Sequence, residues 1–432
     1  MPLDHLDYQY LQVFGAQTEG AAPAPDDCLT AVSFDAAGDH IAVGDCGGRI
    51  ALFERARGGA EAEAGPPRYA FLAEYQSHRG EYDYVRSVDV QARVVAIRFL
   101  PARGDGELVY LTANDRDVKL WRCRAGASGK AEVVVRRNYS NASASSIVEL
   151  LPRDDLFYLV DDFGVTQWWV EDPFAAYQLV DYRPAGLHDS IETLRCADLE
   201  RSHGNLLAFG SNLGAVRYVD LRVASAFDKG ASASALFTSP KSQIEAVKFV
   251  DPTFLAARDL CFLYVFDIRA SRSAGPLQTL PINYALGPER VSALQHDASS
   301  LYEAFDLAVD RSRRFIATGN YGNLVHVYNR EGTGLCFLAT RAYRHRRLKR
   351  PYPGHSVLAK PLVHAGCYDS NSFLPPDKIS PLHRVKHLEF HPTEDLLAVT
   401  TATNLFLYGA RPDAECADYQ RFDEFCAACK VG

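Results

Sequence analysis

The chain has 432 residues, of which 47% are hydrophobic, 23% charged and 11% aromatic. This apolar fraction is ordinary for a folded protein and excludes a wholly disordered chain. Asp and Glu (54) outnumber Lys and Arg (46), which gives a net charge of −8. A mildly acidic surface disfavours non-specific binding to nucleic acids or anionic membranes. We therefore expect no nucleic-acid partner, and a protein partner that carries Lys and Arg.

The sequence also restricts the compartment. It contains no run of about 18 apolar residues, so we expect no membrane span. Residues 1–20 carry acids where a secretory signal peptide needs a basic region. The ten cysteines are scattered, and some lie inside apolar runs such as Leu260–Phe266, which is typical of core thiols in a reducing compartment. We expect the cytosol, with the nucleus as the alternative.

A single pattern recurs along the chain. Each unit has an apolar strand, a turn, a second strand that ends in small residues, another turn, and a third strand that closes on an aromatic or aliphatic residue. The units recur at about 50 residues, close to the spacing of WD-type propeller blades. In chain order they cover residues 30–53, 94–121, 146–169, 194–220, 244–267, 302–329 and 385–408.

Turn residues mark the hairpins inside these units. At such places the backbone needs a positive φ or a local side-chain hydrogen bond. The turns are Gly47-Gly48, Asn114-Asp115, Phe163-Gly164, Asn212–Gly214 and Tyr321-Gly322. One such sheet cannot bury both of its faces alone, so the pattern predicts an all-β fold, a single seven-bladed WD-repeat β-propeller over residues 1–410. A pair of β-sandwiches would explain the alternation but not the sevenfold recurrence.

Three stretches fall outside the predicted blades. Residues 58–67 are rich in Ala, Gly and Glu, which predicts a mobile hairpin tip. Residues 341–380 form an insert whose basic run, 341–350, fits a nuclear-import signal, a phosphate-binding strip or a solvated loop. Residues 411–432 form a tail with Cys416, Cys426 and Cys429. A closed zinc site needs four ligands, and the tail supplies three Cys and no His, so we expect no metal.

Several units carry more specific motifs. AVGDCGGRIALF spans Ala42–Phe53, and TANDRDVKLW spans Thr112–Trp121. Between them lies the most distinctive stretch, YQSHRGEYDYVRSVDVQARVVAIRFLP, at Tyr75–Pro101. The last unit reads FHPTEDLLAVTTATNLFLY, at Phe390–Tyr408. From roughly residue 27 to residue 408, the chain resembles the B-type WD-repeat regulatory subunit of protein phosphatase type 2A.

The resemblance implies a non-catalytic subunit without a cofactor. In that family the propeller joins a HEAT-repeat scaffold subunit and a metal-dependent serine/threonine phosphatase catalytic subunit. It presents basic phosphoprotein substrates to them from an acidic groove on its top face. The expected role is therefore substrate selection and targeting. The alternative is a stand-alone WD-repeat adaptor that no longer binds the phosphatase.

The chain also departs from this family. A long hairpin arm leaves the family's second blade and grips the scaffold, whereas only about 24 residues separate Trp121 from Ser146 here. We expect a shortened arm. Cys46 stands where the family has a top-face lysine, and Gln91-Ala92 replace a pair of acids. The substrate groove is therefore expected to differ as well.

The loop after the QSH motif is one candidate binding site. An Arg, acid and Tyr cluster is typical of a recognition surface, because Tyr gives rigid contact area and carboxylates pair with basic residues. The alternative is a solvated loop that packs one Tyr on its own blade. The candidate residues are Glu81, Tyr82, Asp83, Tyr84 and Arg86.

A second candidate site lies at other turns. Asp161 and Asp162 could attract a basic substrate, or one of them could close the hairpin through a local hydrogen bond. Because side chains alternate, each acid could do one of these jobs. Tyr321 occupies a turn that the family uses near its groove, and it could equally serve in packing.

The sequence gives no catalytic constellation. It contains no GxSxG elbow, P-loop, HExxH motif or Rossmann fingerprint. We therefore expect a regulator rather than an enzyme, with no catalytic residues. A propeller hydrolase remains the third hypothesis, and it would require turnover by the purified chain alone.

Overall fold

The structure is a computed structural model of the whole chain. It describes residues 7–15, 24–56, 68–85, 87–101, 107–125, 131–140, 145–184, 191–223, 227–228, 236–239, 242–270, 275–282, 305–320, 324–330, 335–339, 361–362 and 384–411.

Seven mainly antiparallel sheets of four or more strands make up the described fold. The described residues form no α-helix, and their one helical turn is a 3₁₀ turn at Pro25–Asp27. No helix among them is long and apolar enough to cross a membrane. The prediction of an all-β, seven-bladed propeller is confirmed.

The first strand of the chain, β1 (Asp7–Gly15), is separate from the blade that follows it. Blade one is β2 (Leu29–Phe34), β3 (His40–Asp45), β4 (Arg49–Arg55) and β5 (Tyr69–Gln76). A two-stranded hairpin follows, β6 (Glu81–Asp83) and β7 (Val88–Val90). Blade two is β8 (Ala96–Phe99), β9 (Leu108–Ala113), β10 (Asp117–Ala125) and β11 (Ala131–Ser140).

The next blades repeat this order. Blade three is β12 (Ile147–Arg153), β13 (Leu156–Asp161), β14 (Gly164–Trp169) and β15 (Ala176–Asp181). Blade four is β16 (Leu194–Leu199), β17 (Leu206–Ser211), β18 (Ala215–Asp220) and β20 (Phe237–Thr238), while β19 (Phe227–Asp228) adds to blade three in parallel with β15.

The last blades are built from shorter strands. Blade five is β21 (Ala246–Phe249), β22 (Phe254–Arg258), β23 (Phe262–Asp267) and β24 (Gln278–Pro281). Blade six is β25 (Leu307–Val309), β26 (Phe315–Thr318), β27 (Leu324–Asn329) and β28 (Leu335–Ala339). Blade seven is β30 (His387–Phe390), β31 (Leu396–Thr400), β32 (Asn404–Arg411) and β1, with β29 (Pro361–Leu362) beyond β1.

The first strand of every blade lies at the centre of the ring. Each of these strands contacts the first strand of the next blade, and the last of them, β30, contacts β2. Apolar side chains from neighbouring blades fill the wedges between the sheets. Between blades two and three, for example, the rings of Tyr139 and Phe157 lie 5.0 Å apart and edge to face. The core is therefore a set of wedges arranged around a central channel.

The ring closes through the beginning of the chain. Strand β1 pairs along its length with β32, so the fourth strand of blade seven comes from the start of the sequence. The sequence analysis did not predict this pairing. Each of the seven predicted units coincides with the three inner strands of one blade, and the fourth strand lies outside the unit. Residues 58–67, the insert 341–380 and the tail 411–432 lie outside the described residues, except for 361–362 and 411.

The turn of blade one shows why the sequence needs glycine there. Gly48 has a φ of +80°, and a Cβ atom at this position would lie 2.3 Å from the carbonyl oxygen of His78. The missing side chain lets the segment after β5 pass close to the turn. The same close approach gives the turn two partners, since the N–H groups of Ser77 and His78 donate to the oxygen of Gly48.

Candidate functional site

The candidate residues belong to one face of the propeller. We call it the upper face, defined by the turns between the second and third strands of each blade and by the connections from each blade to the next. The opposite, lower face carries the turns between the first and second strands. The described turns of the upper face include 46–48, 114–116, 162–163, 212–214, 259–261 and 401–403.

The β6–β7 hairpin presents an exposed aromatic pair on this face. Tyr82 is 46% exposed and Tyr84 is 85% exposed. Their rings meet edge to face, with centroids 5.0 Å apart. Val85, at the tip, is also exposed. The pair supports itself by ring contact while most of its area faces solvent, which suits it for contact with another molecule.

The polar candidates of the hairpin differ in their surroundings. Glu81 is exposed, whereas Asp83 is half-buried and its Oδ1 accepts the N–H of Val85 at 2.9 Å. Asp83 therefore shapes the hairpin turn. Arg86 lies outside the described residues.

The base of the hairpin is tied to blade two by buried hydrogen bonds. The hydroxyls of Ser77 and Thr112 lie 2.8 Å apart, and Nε2 of His78 lies 3.1 Å from the same Thr112 oxygen. The indole N–H of Trp121 also donates to it at 3.0 Å. Burial lowers the pKa of His78 to about 3, so its imidazole is neutral. The QSH motif is thus structural, a role that the sequence analysis did not assign to it.

The far end of the hairpin is fixed to the turn of blade two. The N–H of Gln91 donates to Oδ1 of Asp115 at 3.2 Å, and Nδ2 of Asn114 donates to the carbonyl of Gln91 at 3.0 Å. The N–H of Ile147, at the start of blade three, donates to the carbonyl of Asp115 at 2.9 Å. The hairpin, the blade-two turn and the blade-three entrance are therefore connected in sequence around the upper face.

Asp161 closes the turn of blade three. It is 5% exposed, and its Oδ1 accepts the N–H of Phe163 at 2.9 Å. This is the local hydrogen bond that favours Asp in a tight turn.

Asp162 is half-buried and joins three segments. Its Oδ2 accepts the N–H of Ser146 at 3.1 Å, its own N–H donates to the carbonyl of Ser146 at 3.0 Å, and its carbonyl accepts the N–H of Leu194 at 2.7 Å. Burial raises the pKa of Asp162, while the Ser146 N–H and the positive charge of Arg195 act in the opposite direction. Asp162 retains contact with solvent, and Asp161 does not.

The structure therefore brings the hairpin and Asp162 onto one face of adjoining blades. Tyr321 lies outside the described residues, so its role in the groove stays a prediction. Among the described residues, no group of three or more His, Cys, Asp or Glu side chains could hold a metal ion. The tail with Cys416, Cys426 and Cys429 lies outside the described residues.

A cavity of about 530 Å³ occupies the lower end of the central channel. Charged side chains of the innermost strands line it, and two ion pairs between neighbouring blades lie there, Arg98 with Glu149 at 2.6 Å and Lys248 with Asp198 at 3.1 Å. Asp306, which also lines the cavity, lies 2.9 Å from Nδ1 of His387, and Oε2 of Glu389 accepts the N–H of Phe34 at 3.1 Å. Because these charges compensate one another, the pairs serve to join blades.

The chain is similar to curated proteins over almost its whole length. The B alpha isoform of the 55 kDa regulatory subunit of serine/threonine protein phosphatase 2A from Oryza sativa subsp. japonica is 26% identical, over 94% of this chain and 85% of the relative. The B beta isoform from Arabidopsis thaliana is 25% identical, over 95% of this chain and 98% of the relative. The B gamma isoform from Macaca fascicularis is 24% identical, over 94% of this chain and 96% of the relative.

This chain resembles the B-type regulatory subunits of protein phosphatase 2A from end to end. The resemblance expected from the motifs is confirmed. The B-type relatives are named as regulatory subunits and not as catalytic enzymes, which also confirms the predicted class, a regulator rather than an enzyme. No protein-family model matches the chain.

Among solved structures, Raptor from Chaetomium thermophilum superimposes with a TM-score of 0.58 at 12% identity. The match covers 95% of this chain and 29% of the Raptor chain. At this identity it shows the propeller fold alone.

The blade-two hairpin differs from the arm expected of a B-type subunit. Strand β9 ends its pairing at Cys123 with Leu108, and only two further pairs join β10 to β11 beyond it, Arg124 with Glu132 and Ala125 with Ala131. Residues 126–130, which connect the two strands, lie outside the described residues. With five residues in that connection, the hairpin stays close to its blade.

Proposed function

We infer that this chain is a non-catalytic regulatory subunit that selects substrates for, and targets, a type 2A protein serine/threonine phosphatase holoenzyme. The observation that carries the proposal is similarity to named B-type subunits over at least 94% of the chain. The proposed partners are a phosphatase catalytic subunit, a HEAT-repeat scaffold subunit and basic phosphoproteins. The proposed compartment is the cytoplasm, with a nuclear pool as the alternative.

The proposed mechanism is proximity. A substrate held on the upper face stays near the catalytic metals of the partner, which raises its effective concentration and fixes its orientation. Asp162 and Glu81 would attract Lys and Arg, while Tyr82 and Tyr84 would supply rigid apolar contact. This chain would perform none of the chemistry itself.

The structure shows which substitution tests the acidic groove without disturbing the fold. Reversing both Asp161 and Asp162 to Lys would remove the buried hydrogen bond of Asp161 and disturb the turn. Asp162→Asn removes only a charge and keeps an oxygen for the N–H of Ser146. A loss of substrate binding by this single variant, with its melting temperature unchanged, would support the groove.

Our first prediction concerns the holoenzyme. Tagged chain, recovered from native lysate at moderate salt, should carry a HEAT-repeat scaffold and okadaic-acid-sensitive phosphatase activity. The double variant Tyr82→Ala/Tyr84→Ala should keep that activity but bind basic phosphoproteins about tenfold or more weakly, because buried Tyr side chains dominate many interfaces.

Leu277→Ala is the matched control for this experiment. Leu277 is also an exposed apolar side chain, at 54%, but it lies beside β24 of blade five. The Leu277→Ala variant should leave substrate binding unchanged. Recovery of the chain without scaffold and without phosphatase activity would contradict the proposed function and favour a stand-alone adaptor. Turnover of a phosphorylated substrate by the purified chain alone would contradict both the regulatory-subunit and the stand-alone-adaptor hypotheses.

A further inference from the structure

Two cysteines face each other across the first hairpin of blade one. Strand β2 pairs with β3 so that Leu29 lies opposite Asp45. The next residue along each chain is a cysteine, Cys28 before β2 and Cys46 after β3. The N–H of Cys46 donates to the carbonyl of Cys28 at 2.8 Å, so the antiparallel pairing continues to this position. The two residues therefore form a cross-strand pair on the upper face.

The position of the pair suits a disulfide. Opposite residues of an antiparallel ladder have Cα atoms about 4.5 to 5.5 Å apart, and Cys28 and Cys46 extend the ladder through one hydrogen bond, because the N–H of Cys28 donates to the carbonyl of Pro25 at 3.4 Å. Disulfides span Cα separations of about 4.4 to 6.8 Å. The two side chains leave the same side of the pair, and the Cys46 thiol hydrogen-bonds to Cys28.

The surroundings hold the pair together independently of the thiols. One guanidinium nitrogen of Arg49 lies 2.8 Å from Asp27 and 2.7 Å from Asp45, the residues next to the two cysteines. The N–H of Gly47 also donates to the carbonyl of Asp26 at 2.9 Å. These contacts fix the two segments before any covalent bond forms, which lowers the entropy lost on closing it.

The pair is also accessible and close to positive charge. Cys28 and Cys46 are both half-buried thiols, so a small oxidant can reach them. The hydrogen bond to Cys28 and burial raise the pKa of the Cys46 thiol, whereas the charges of Arg93 and Lys386 favour its ionised form. Because the net effect is a raised pKa, the thiolate is scarce at neutral pH, and the reaction should be slow there and faster at higher pH.

Two other described cysteines lack this arrangement. Cys123 lies opposite Val133 and Leu108, and Cys196 lies opposite Gly210, so neither has a cysteine across the ladder. Both are also buried, which restricts the access of an oxidant. They are therefore suitable internal controls.

We propose that Cys28 and Cys46 are a modification site, a dithiol that a peroxide converts to a reversible disulfide on the upper face. This site goes beyond the proposed function and does not depend on it. It lies at the position where the chain departs from the family lysine.

The reaction is balanced with hydrogen peroxide as the oxidant. A thiolate of the pair attacks one peroxide oxygen, the O–O bond breaks, and a sulfenic acid and water form once a proton is taken up. The second thiol then attacks the sulfenic sulfur, the S–O bond breaks, and a second water leaves. The two sulfurs lose two electrons and two protons, and the peroxide is reduced to two waters. A dithiol reductant reverses the step by thiol exchange.

The sequence makes the experiment simple. The first Lys or Arg is Arg49, so trypsin leaves both thiols in one peptide, residues 1–49. The purified full-length chain is treated with hydrogen peroxide, and its remaining thiols are alkylated. The chain is then digested with trypsin without reduction, and the mass of peptide 1–49 is measured by mass spectrometry. Most of it should carry no alkyl group and be about 2 Da lighter, the mass of two hydrogen atoms. Prior treatment with dithiothreitol should restore two alkylations.

Matched variants decide the assignment. Cys46→Ser should abolish the bridged peptide, and Cys123→Ser should leave it unchanged. A variant with Cys416, Cys426 and Cys429 all replaced by Ser should still form the bridge, which excludes the tail as the partner. The proposal is overturned if peptide 1–49 of the natural chain still takes two alkyl groups after peroxide, or if Cys28 is found joined to another cysteine.

Discussion

His78 and His326 are buried imidazoles that remain neutral in the folded chain. Burial lowers the pKa of each to about 3, and the nearby positive charge of Lys119 or Arg258 acts in the same direction. His78 contacts the Thr112 hydroxyl, and His326 contacts the amide of Asn320 at 2.9 Å. In both cases the imidazole replaces water as a hydrogen-bond partner inside the propeller.

These histidines predict loss of stability in acid. An unfolded imidazole has a pKa of about 6.5, so between pH 6.5 and pH 3 the unfolded chain binds more protons than the folded chain. Each neutral histidine therefore contributes stability that is fully present above about pH 6.5 and is lost as the pH falls toward 3. The slope is about 1.4 kcal/mol per pH unit for each histidine.

The expected result is a shallower acid slope for His78→Gln than for the natural chain, measured by urea unfolding between pH 6.5 and pH 4. The glutamine amide can still reach the Thr112 hydroxyl but does not titrate. His203→Gln, at a side chain that is 71% exposed, is the control and should leave the slope unchanged. Equal slopes for His78→Gln and the natural chain would contradict a neutral, buried His78.

The two neighbouring acids show what residue patterns can and cannot predict. The sequence analysis expected that Asp161 and Asp162 could divide two jobs between them, because side chains alternate along a strand. The structure buries Asp161 on the N–H of Phe163 and leaves Asp162 half-buried. The contact from the carbonyl of Asp162 to the N–H of Leu194 reaches the next blade and has no signature in the local sequence.

At the scale of elements, the inner strands were predictable and the outer strands were not. Inner strands are apolar on both faces, because each sheet packs between two neighbours, and this gives them a clear signal. The outer strands lie at the rim and carry many partly or fully exposed side chains, as in β11, so their apolar signal is weak. Strand β1 lies far from its partner β32 in the sequence, so no periodicity connects them.

Arg258 joins blades five and six. It is fully buried at the end of β22, and its Nη2 lies 3.0 Å from Glu245. Its Nη1 donates to the hydroxyl of Thr318 and, at 2.9 Å, to the carbonyl of Gly319 in blade six. Its guanidinium also lies 5.0 Å from the centre of the Phe305 ring. Burial raises the pKa of Glu245 to about 7, against the attraction of Arg258.

Arg258→Met should destabilise the chain by about 3–5 kcal/mol, because Glu245 would lose its buried partner, and Thr318 and Gly319 would lose a hydrogen-bond donor. The double variant Arg258→Met/Glu245→Gln should lose less than the sum of the two single variants, as a double-mutant cycle in urea would show. Arg269→Met, at an exposed arginine of the same blade paired with Asp267, should leave the midpoint unchanged. Additive effects of the Arg258 and Glu245 variants would contradict the coupling.

At the scale of the whole molecule, one side chain of β1 joins the two blades at which the ring closes. The amide of Gln12 is buried, donates to the carbonyl of Tyr69 at 2.7 Å and accepts the N–H of Tyr69 at 2.9 Å. Tyr69 begins the outermost strand of blade one, so this bond pair connects blade seven to blade one. The imidazole of His391 adds a contact to the carbonyl of Gly38 at 3.0 Å.

Gln12→Ala should lower the free energy of unfolding by about 1–3 kcal/mol, because it leaves two buried backbone groups of Tyr69 without their partner. Gln178→Ala is the control, since its amide contacts only the nearby Val180 and Arg183 on blade three, and a smaller loss is expected. Chemical unfolding followed by tryptophan fluorescence measures both. A Gln12→Ala variant no less stable than Gln178→Ala would contradict the closing role of Gln12.

The position of β1 has a consequence for the order of events during synthesis. The strand leaves the ribosome before the other strands of the propeller, whereas its partner β32 begins at Asn404. At about 5–20 residues per second, the wait between them is on the order of 20 to 80 s. During this time the backbone hydrogen-bonding groups of β1 are open to other chains. Shielding β1 until β32 has emerged should therefore increase the yield of folded protein.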